Sequence, residues 1–165
     1  MRGFVLFLAI TIHLGLYPSV ANKGFKVDEI EVFKSKRKLI LYFNGSKVKQ
    51  YSISLGKNPI GAKQIEGDRK TPEGTYFING KNPNSKYYKN LGISYPNAKD
   101  KIQAKALGKS AGGDIKIHGL PNDKPWLGKL HLLKDWTYGC IAVTNKQMEE
   151  LYRVSAVGTK IVIYP

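Results

Sequence analysis

The 165-residue sequence predicts a mainly β domain with a few helices, of the α+β class, and its first half carries the clearest signals. Val27 to Phe33 alternates apolar and polar residues, as a strand buried on one face does. Lys38 to Phe43 is apolar along almost its whole length, which is typical of a central strand. Asn44-Gly45 follows at once and is a strong two-residue hairpin signal, so Val48 to Leu55 is expected to pair back.

The second half of the chain continues the β pattern. Its predicted strands are Gly74 to Ile78, closed by Asn79-Gly80, then Ile115 to His118, Cys140 to Val143 and Thr159 to Tyr164.

Helical signals are fewer. Thr144 or Asn145 can cap a helix that runs to Arg153, and a second helix is expected over about Lys99 to Leu107. Gly56 to Pro72 is polar and too long for a hairpin turn, so it is interpreted as a surface loop of the kind that often carries function.

The first 21 residues are typical of a secretory signal peptide. Arg2 supplies a positive charge, Phe4 to Tyr17 is almost wholly apolar, and Ser19-Val20-Ala21 offers small residues for cleavage. The alternative, an uncleaved anchor, would need about 20 apolar residues to cross a bilayer, and this run is shorter. We therefore expect cleavage after Ala21 and one domain over 22–165, large enough to bury its own core.

The formal net charge is +15, and such a positive field attracts polyanions. An exported protein meets peptidoglycan, lipid head groups and acidic surface polymers, and no spaced stacking aromatics indicate a nucleic-acid module, so no nucleic-acid partner is expected. An anionic envelope surface is the expected partner, with a lysine surface that only maintains solubility as the alternative. The two basic clusters are Lys34, Lys36, Arg37 and Lys38, and Lys99, Lys101, Lys105 and Lys109.

Cys140 is the only cysteine, so it cannot form an internal disulfide. It is a buried inert thiol, an intermolecular bridge or a nucleophile. A nucleophile needs a base, because an unperturbed thiol is mostly protonated at neutral pH. His118 ends a short predicted strand, and the carbonyl of Gly119 can hold its imidazole in one tautomer. His131 alternates with leucines and is interpreted as a surface or structural histidine, on a strand or at its exposed side.

Gly139 precedes the cysteine and would let a substrate carbonyl approach the main chain, where backbone N–H groups can stabilise an oxyanion. A turn glycine beside an incidental cysteine is the alternative. The histidines, the cysteine and the scattered carboxylates show no ligand spacing, so no metal or cofactor is expected.

Three segments together resemble the L,D-transpeptidase catalytic domain, a family of cysteine enzymes that remodel peptidoglycan. They are Gly67 to Tyr76 (GDRKTPEGTY), Ile117-His118-Gly119 and Thr137 to Val143 (TYGCIAV), and the resemblance spans about Val27 to Tyr164. It implies an L,D-transpeptidase-like β-sandwich with a catalytic cleft.

The same resemblance assigns roles to single residues. It implies Cys140 as nucleophile, His118 as general base, the Gly119 carbonyl as the group that orients His118, and the N–H groups of Gly139 and Cys140 as oxyanion donors. Trp136, Tyr138 and Tyr95 are expected to line the cleft, with core or rim aromatics as the alternative.

The sequence departs from the commonest family pattern at two positions. Many members have a histidine where this chain has Tyr138, which leaves His118 as the expected base. Many have an arginine where this chain has Ala142, so a lysine or a backbone group would have to replace that contact with a substrate carboxylate. Ser94 to Ala98 and Asp135 to Thr137 are similar to a Gram-negative subgroup, which implies a periplasmic enzyme.

The function expected from this resemblance is transfer of a peptidoglycan stem peptide through a cysteine thioester. A hydrolase of the same fold is the alternative, either an L,D-carboxypeptidase or an amidase that releases a wall-linked lipoprotein. A non-catalytic wall-binding module is the third interpretation, and the presence of both Cys140 and His118 argues against it.

Overall fold

The structure is a computed structural model and describes residues 26–165, so the predicted signal peptide lies outside the described residues. The strands in the described part are β1 (Val27–Phe33), β2 (Lys38–Phe43), β3 (Ser46–Ser52), β4 (Gly74–Ser85), β5 (Tyr88–Ile93), β6 (Lys116–His118), β7 (Ile141–Ala142) and β8 (Ser155–Tyr164). The helices are α1 (Ala98–Ala106) and α2 (Asn145–Val154), and a 3₁₀ segment covers Pro125–Leu133.

The strands form one curled sheet in the order β3-β2-β1-β8-β4-β5-β6-β7. Just beyond β3, Ser54 forms a β-bridge with Ala142 of β7. The segments at the two edges of the sheet therefore contact each other. A single core cluster takes side chains from both halves of the sheet, including Leu41 and Ile117, which are fully buried. The predicted mainly β, α+β class is confirmed. The two layers of the expected sandwich correspond to the two halves of this sheet.

The hairpin between β2 and β3 lies where the sequence predicts it. Asn44 and Gly45 have φ of 49° and 71°, and two positive φ values in succession are the requirement of the tight turn that matches strand twist. The prediction that Asn79-Gly80 closes a strand was wrong. β4 continues to Ser85 through a shift in register between Ile78 and Gly80, because the chain accommodates the extra residue as a bulge.

Both predicted helices are present, and each begins with a reciprocal cap. Thr144 accepts a hydrogen bond from the Gln147 N–H, and the Gln147 side chain accepts one from the Thr144 N–H. Met148 and Leu151 on one face of α2 are fully buried. Asn97 and Asp100 cap α1 in the same way. These local signals fix where each helix starts, and the apolar face of α2 fixes its position on the sheet.

Two members of the first predicted basic cluster are not free surface charges. The Lys34 ammonium is buried and donates to the carbonyls of Gly61 and Thr71 and to Glu73 Oε1 at 2.7 Å. Arg37 pairs with Asp135 at 2.7 Å. The second predicted cluster, with three lysines on α1 and Lys109 just after it, is exposed, as a solvated cationic surface requires.

Candidate active site

Strand pairing brings His118 and Cys140 to one cleft. β6 and β7 are parallel neighbours, with His118 opposite Ala142, and Cys140 is the residue that enters β7. Both side chains line a cleft of about 500 Å³. The short strand pair therefore holds the predicted base and the predicted nucleophile on adjacent segments.

The imidazole of His118 is held in one tautomer. Its Nδ1 lies 2.7 Å from the Gly119 carbonyl oxygen, which can only accept, so Nδ1 carries the proton and Nε2 keeps its lone pair. His118 is 5% exposed, and this burial lowers its pKa to about 4 from 6.5, although the Gly119 hydrogen bond opposes the shift. The imidazole is therefore neutral at neutral pH, as a general base must be before it takes a proton.

The thiol of Cys140 is half-buried and free, and its Sγ lies 3.7 Å from the Asp114 carbonyl oxygen. Burial raises the pKa of the thiol above its ordinary value, and a hydrogen bond from the Lys116 backbone opposes that shift. Because the pKa of the thiol is raised and the pKa of the imidazole is lowered, both groups are neutral at rest. A neutral thiol beside a neutral imidazole is an arrangement in which a general base can take the proton as the thiol attacks.

The two predicted oxyanion donors differ in their hydrogen bonding. The Gly139 N–H donates to Thr137 Oγ1 at 3.1 Å, and the same hydroxyl donates to the Cys140 carbonyl at 2.7 Å. Thr137 therefore fixes the turn before Cys140. The Cys140 N–H has no hydrogen-bond partner among residues 26–165, so it is the donor that remains available for an oxyanion.

Packing explains why position 139 is a glycine, which the sequence did not indicate. Its φ is +127°, and a Cβ added there would lie 2.7 Å from the Lys70 carbonyl oxygen. The close approach is to the loop 56–72 of the protein itself. A side chain at this position would push that loop away from the segment that carries Cys140.

The segment Gly67 to Tyr76 forms hydrogen bonds and an ion pair within the loop that packs next to the cleft. The Thr71 hydroxyl accepts from the Gly56 N–H, and the Thr137 carbonyl accepts from the Lys57 N–H at 3.0 Å. Asp68 accepts hydrogen bonds from three backbone N–H groups and pairs with the buried Lys63 at 2.8 Å. The motif that carries the family resemblance thus holds its own loop and the turn before Cys140 together.

Two of the three predicted cleft aromatics line the cleft. Trp136 meets the His118 ring edge-on with centroids 5.6 Å apart, and Tyr138 is exposed at the rim. Tyr95, predicted to line the cleft, lies in the core instead. It is 4% exposed, and its hydroxyl donates to the Ala111 carbonyl at 2.9 Å.

Sequence reasoning missed Tyr87 and Lys116. Tyr87 packs on the His118 ring with centroids 4.7 Å apart, and Lys116 lines the cleft and pairs with Asp114 at 2.6 Å. Strand periodicity could have found Lys116, because residues two apart on a strand share a face and Lys116 precedes His118 by two. No local signal marks Tyr87, which reaches the cleft from the turn between β4 and β5.

Of the two interpretations of His131, the structural one fits the structure and the surface one does not, and the residue does not lie on a strand. It is 4% exposed and lies in the 3₁₀ segment. Ser54 Oγ donates to the His131 carbonyl at 2.8 Å and lies 3.1 Å from Nδ1, so Nδ1 donates in return and the ring is tied to the chain beyond β3. This is a satisfied structural contact on the ring's Nδ1 side, outside the cleft that holds His118 and Cys140.

Residues 26–165 contain no group of three or more metal-ligating side chains placed to hold an ion, so no metal role is assigned to the site. Neither described helix, nor the 3₁₀ segment, is long and apolar enough to span a bilayer.

The match to a family model accounts for nearly all of the described fold. Residues 28–163 match the model YkuD, the L,D-transpeptidase catalytic domain. The chain belongs to this family. The match covers every strand and helix named above except the ends of β1 and β8.

The relatives agree with that membership. The chain is 32% identical over 130 residues to YafK of Escherichia coli K12, whose name assigns it provisionally to the L,D-transpeptidases. The match covers 75% of this chain and 45% of YafK, so the chain spans about half the length of this relative.

Among solved structures, the helical cell shape determining protein Pgp2 of Campylobacter jejuni is 31% identical with a TM-score of 0.65, over 84% of this chain and 48% of that one. An L,D-transpeptidase of Mycobacterium smegmatis is 15% identical with a TM-score of 0.54, over 83% of this chain and 58% of that one, a likeness of fold alone.

Proposed function

We propose that this domain acts on peptidoglycan stem peptides as an L,D-transpeptidase, with Cys140 as nucleophile and His118 as base. One observation carries the proposal. His118 donates through Nδ1 to the Gly119 carbonyl, and its ring lines the same cleft as the Cys140 thiol. That arrangement leaves a basic nitrogen free to take a proton in a site where a thiol is the nucleophile.

The reaction follows from these groups. His118 Nε2 takes the thiol proton as Sγ attacks the carbonyl of an L-centre joined to a D-centre, and the Cys140 N–H donates to the oxyanion. The C–N bond breaks, and the departing amine takes the proton from His118. A thioester remains on Cys140. An acceptor amine then gives transfer and water gives hydrolysis, with His118 removing the proton of the incoming group.

The setting of this reaction is also a proposal. An export signal over 1–21 would deliver the domain 22–165 to the periplasm, where its substrate lies. Pgp2, which is 31% identical to this chain, is named as a helical cell shape determining protein, and that likeness supports a role for this domain in wall remodelling. A wall-linked lipoprotein is a second candidate substrate, because the acceptor and the attached chain are not determined by the Cys140–His118 pair.

The nucleophile is tested by Cys140→Ala, which should abolish turnover of tetrapeptide-bearing muropeptides while the circular dichroism and melting temperature stay close to those of the wild type. An iodoacetamide-type reagent should add one adduct to the native protein by intact mass, since the chain has one thiol. Failure to label without denaturant would make the thiol structural and remove the catalytic proposal.

The same incubation separates the alternatives when products are resolved by mass. Cross-linked dimers identify a transferase, and shortened stem peptides identify a hydrolase. Unchanged material that stays bound to the protein identifies a wall-binding module.

A further inference from the structure

An apolar groove lies beside the catalytic cleft on the 3₁₀ segment. Its volume is about 850 Å³, and no acidic residue lines it. Trp126, Leu130 and Leu133 line it and are 71%, 58% and 82% exposed. Three large apolar side chains exposed within eight residues form a patch that neither the core nor the proposed reaction uses.

Lysines surround the same groove. Lys124 and Lys134 line it, and Lys129 lies between them on the exposed side of the segment. In the described part of the chain, Lys129 and Lys134 form no ion pair, and Lys124 has only a 4.0 Å approach to Asp123. Asp135, the next carboxylate along the chain, is paired with Arg37. The patch therefore combines exposed apolar groups with uncompensated positive charge.

We propose that this groove and its lysines, here called the 3₁₀ patch (Lys124, Trp126, Lys129, Leu130, Leu133 and Lys134), bind the surface of an anionic lipid bilayer. Apolar side chains next to lysines are what an interfacial segment needs, because the apolar groups enter the boundary of the acyl chains while the ammonium groups pair with lipid phosphates. Tryptophan is enriched at this boundary, and Trp126, the tryptophan of the segment, is 71% exposed.

Charge complementarity favours a bilayer over the other occupants of such a groove. A second copy of the chain in a symmetric contact would bring Lys124, Lys129 and Lys134 of both copies together, which costs energy between like charges. A hydrated wall polymer would meet the lysines but would leave the tryptophan and leucines in water. Only a surface with both phosphates and hydrocarbon matches both halves of the patch.

The position of the patch connects it to the cleft. Trp136 lines the groove on one side and the cleft with Cys140 and His118 on the other. A bilayer seated on the 3₁₀ patch would therefore lie next to the catalytic cleft, and the enzyme would act on wall material close to the membrane. This inference goes beyond the proposed reaction and does not depend on it.

The test uses the whole chain with vesicles of phosphatidylethanolamine and phosphatidylglycerol that carry brominated acyl chains, which quench a tryptophan that enters the bilayer. We expect quenching that weakens with added salt and is nearly lost in Trp126→Phe, because Trp136, the only other tryptophan, is half-buried between the groove and the cleft, whereas Trp126 is 71% exposed. Quenching is expected to be absent with brominated phosphatidylcholine. This local readout holds even if residues 1–21 also bind lipid.

A second readout is the vesicle affinity of Leu130→Ser with Leu133→Ser, which should fall about tenfold or more as apolar contact with the bilayer is lost. The matched control is Ile102→Ser, a 69% exposed apolar side chain on the lysine-rich helix α1, and its affinity should stay within about twofold of the wild type. Cys140→Ala should bind vesicles as the wild type does, so a loss of the proposed activity leaves this result unaffected.

No quenching of Trp126 would overturn the proposal, and so would equal losses in the leucine variant and the Ile102 control. Equal quenching with phosphatidylcholine would overturn the requirement for anionic lipid. If sedimentation shows a dimer that the leucine variant disperses, and Trp126 is not quenched, the patch is an interface between copies. If the leucine variant misfolds, quenching in the wild type and its loss in Trp126→Phe still decide.

Discussion

At His118, burial and one hydrogen bond act on different properties of the same imidazole. The Gly119 carbonyl fixes which nitrogen carries the proton, and burial fixes that the ring is neutral. Replacing Gly119 should be destabilising, because a Cβ there would lie 2.6 Å from Asn145 Oδ1, which is held by the Leu120 N–H, and 3.1 Å from the Tyr87 carbonyl oxygen. The proposed base is therefore positioned by the backbone, and its basicity is set by its surroundings.

The depressed pKa predicts the acid side of the pH–rate profile. Because His118 titrates near 4, kcat/KM should stay flat as pH falls through 6.5 and should fall only as the pH approaches 4. An NMR titration of the His118 ring in Cys140→Ala should give a midpoint well below 6.5. A midpoint at or above 6.5 in the wild type that drops in Cys140→Ala would instead indicate a thiolate–imidazolium pair.

The same shift has a consequence for stability. The folded-state pKa lies below the unfolded value, so the unfolded chain binds more protons between about pH 6.5 and 4. The free energy of unfolding should lose about 3 kcal/mol from this group as pH falls through that window, and His118→Gln should lack that loss.

The two described histidines should differ when replaced. His118→Ala should slow acylation roughly 10²–10⁴-fold, since a positioned base contributes that much. His131→Ala should cost far less rate but about 1–3 kcal/mol of unfolding free energy, because it leaves the buried Ser54 hydroxyl without its imidazole partner. Single-turnover acylation and urea unfolding of both variants measure the two effects. Equal rate losses would mean that His131 belongs to the site.

At the scale of elements, the loop 56–72 is a structural part of the site. Asp68 holds it through Lys63 and three backbone N–H groups. Burial acts to raise the pKa of Asp68, but the hydrogen bonds from Lys63 and the backbone outweigh it and lower the pKa. Stability that depends on this carboxylate is therefore present above its ordinary pKa of 3.8 and is lost as the pH falls below it.

Asp68→Ala should lower the free energy of unfolding by about 3 kcal/mol, because it leaves the buried Lys63 ammonium unpaired. It should also lower kcat/KM, since the same loop contacts Gly139 beside Cys140, the proposed nucleophile. Asp123→Ala is the matched control, a carboxylate 72% exposed whose pairing to Lys124 is 4.0 Å long. Urea unfolding and muropeptide kinetics check both values, and equal results for the two variants would contradict the proposed role of the loop.

At the scale of the whole molecule, only part of the net charge of +15 lies on exposed side chains that a partner can reach. Lys34 and Lys63 are buried in ion pairs, whereas four lysines on or just after α1 are exposed, namely Lys99, Lys101, Lys105 and Lys109. The exposed set can attract anionic surfaces from a distance, and the buried set stabilises the loop 56–72.

Binding to isolated sacculi should therefore fall steeply as salt shortens the Debye length from about 10 Å at 0.1 M to about 3 Å at 1 M. Turnover of a small neutral muropeptide should change little, because its recognition depends on the cleft. Replacing Lys99, Lys101, Lys105 and Lys109 with Gln should weaken the pelleting of protein with sacculi. Pelleting that is flat across the salt range would mean that the lysines only keep the protein soluble.

Local patterns by themselves determined the hairpin at Asn44-Gly45, both helix starts and most of the strands, because turns, caps and alternation depend on neighbours in sequence. The His118–Cys140 hypothesis also came from short motifs. Packing alone decided the placement of Tyr95 in the core and of His131 against Ser54. β5 (Tyr88–Ile93) was missed because it has no clear alternation and forms by pairing with β4 and β6. A strand that is stabilised by its neighbouring strands has no clear pattern in its own sequence. The same holds for a buried polar side chain whose hydrogen-bond partner is distant in sequence.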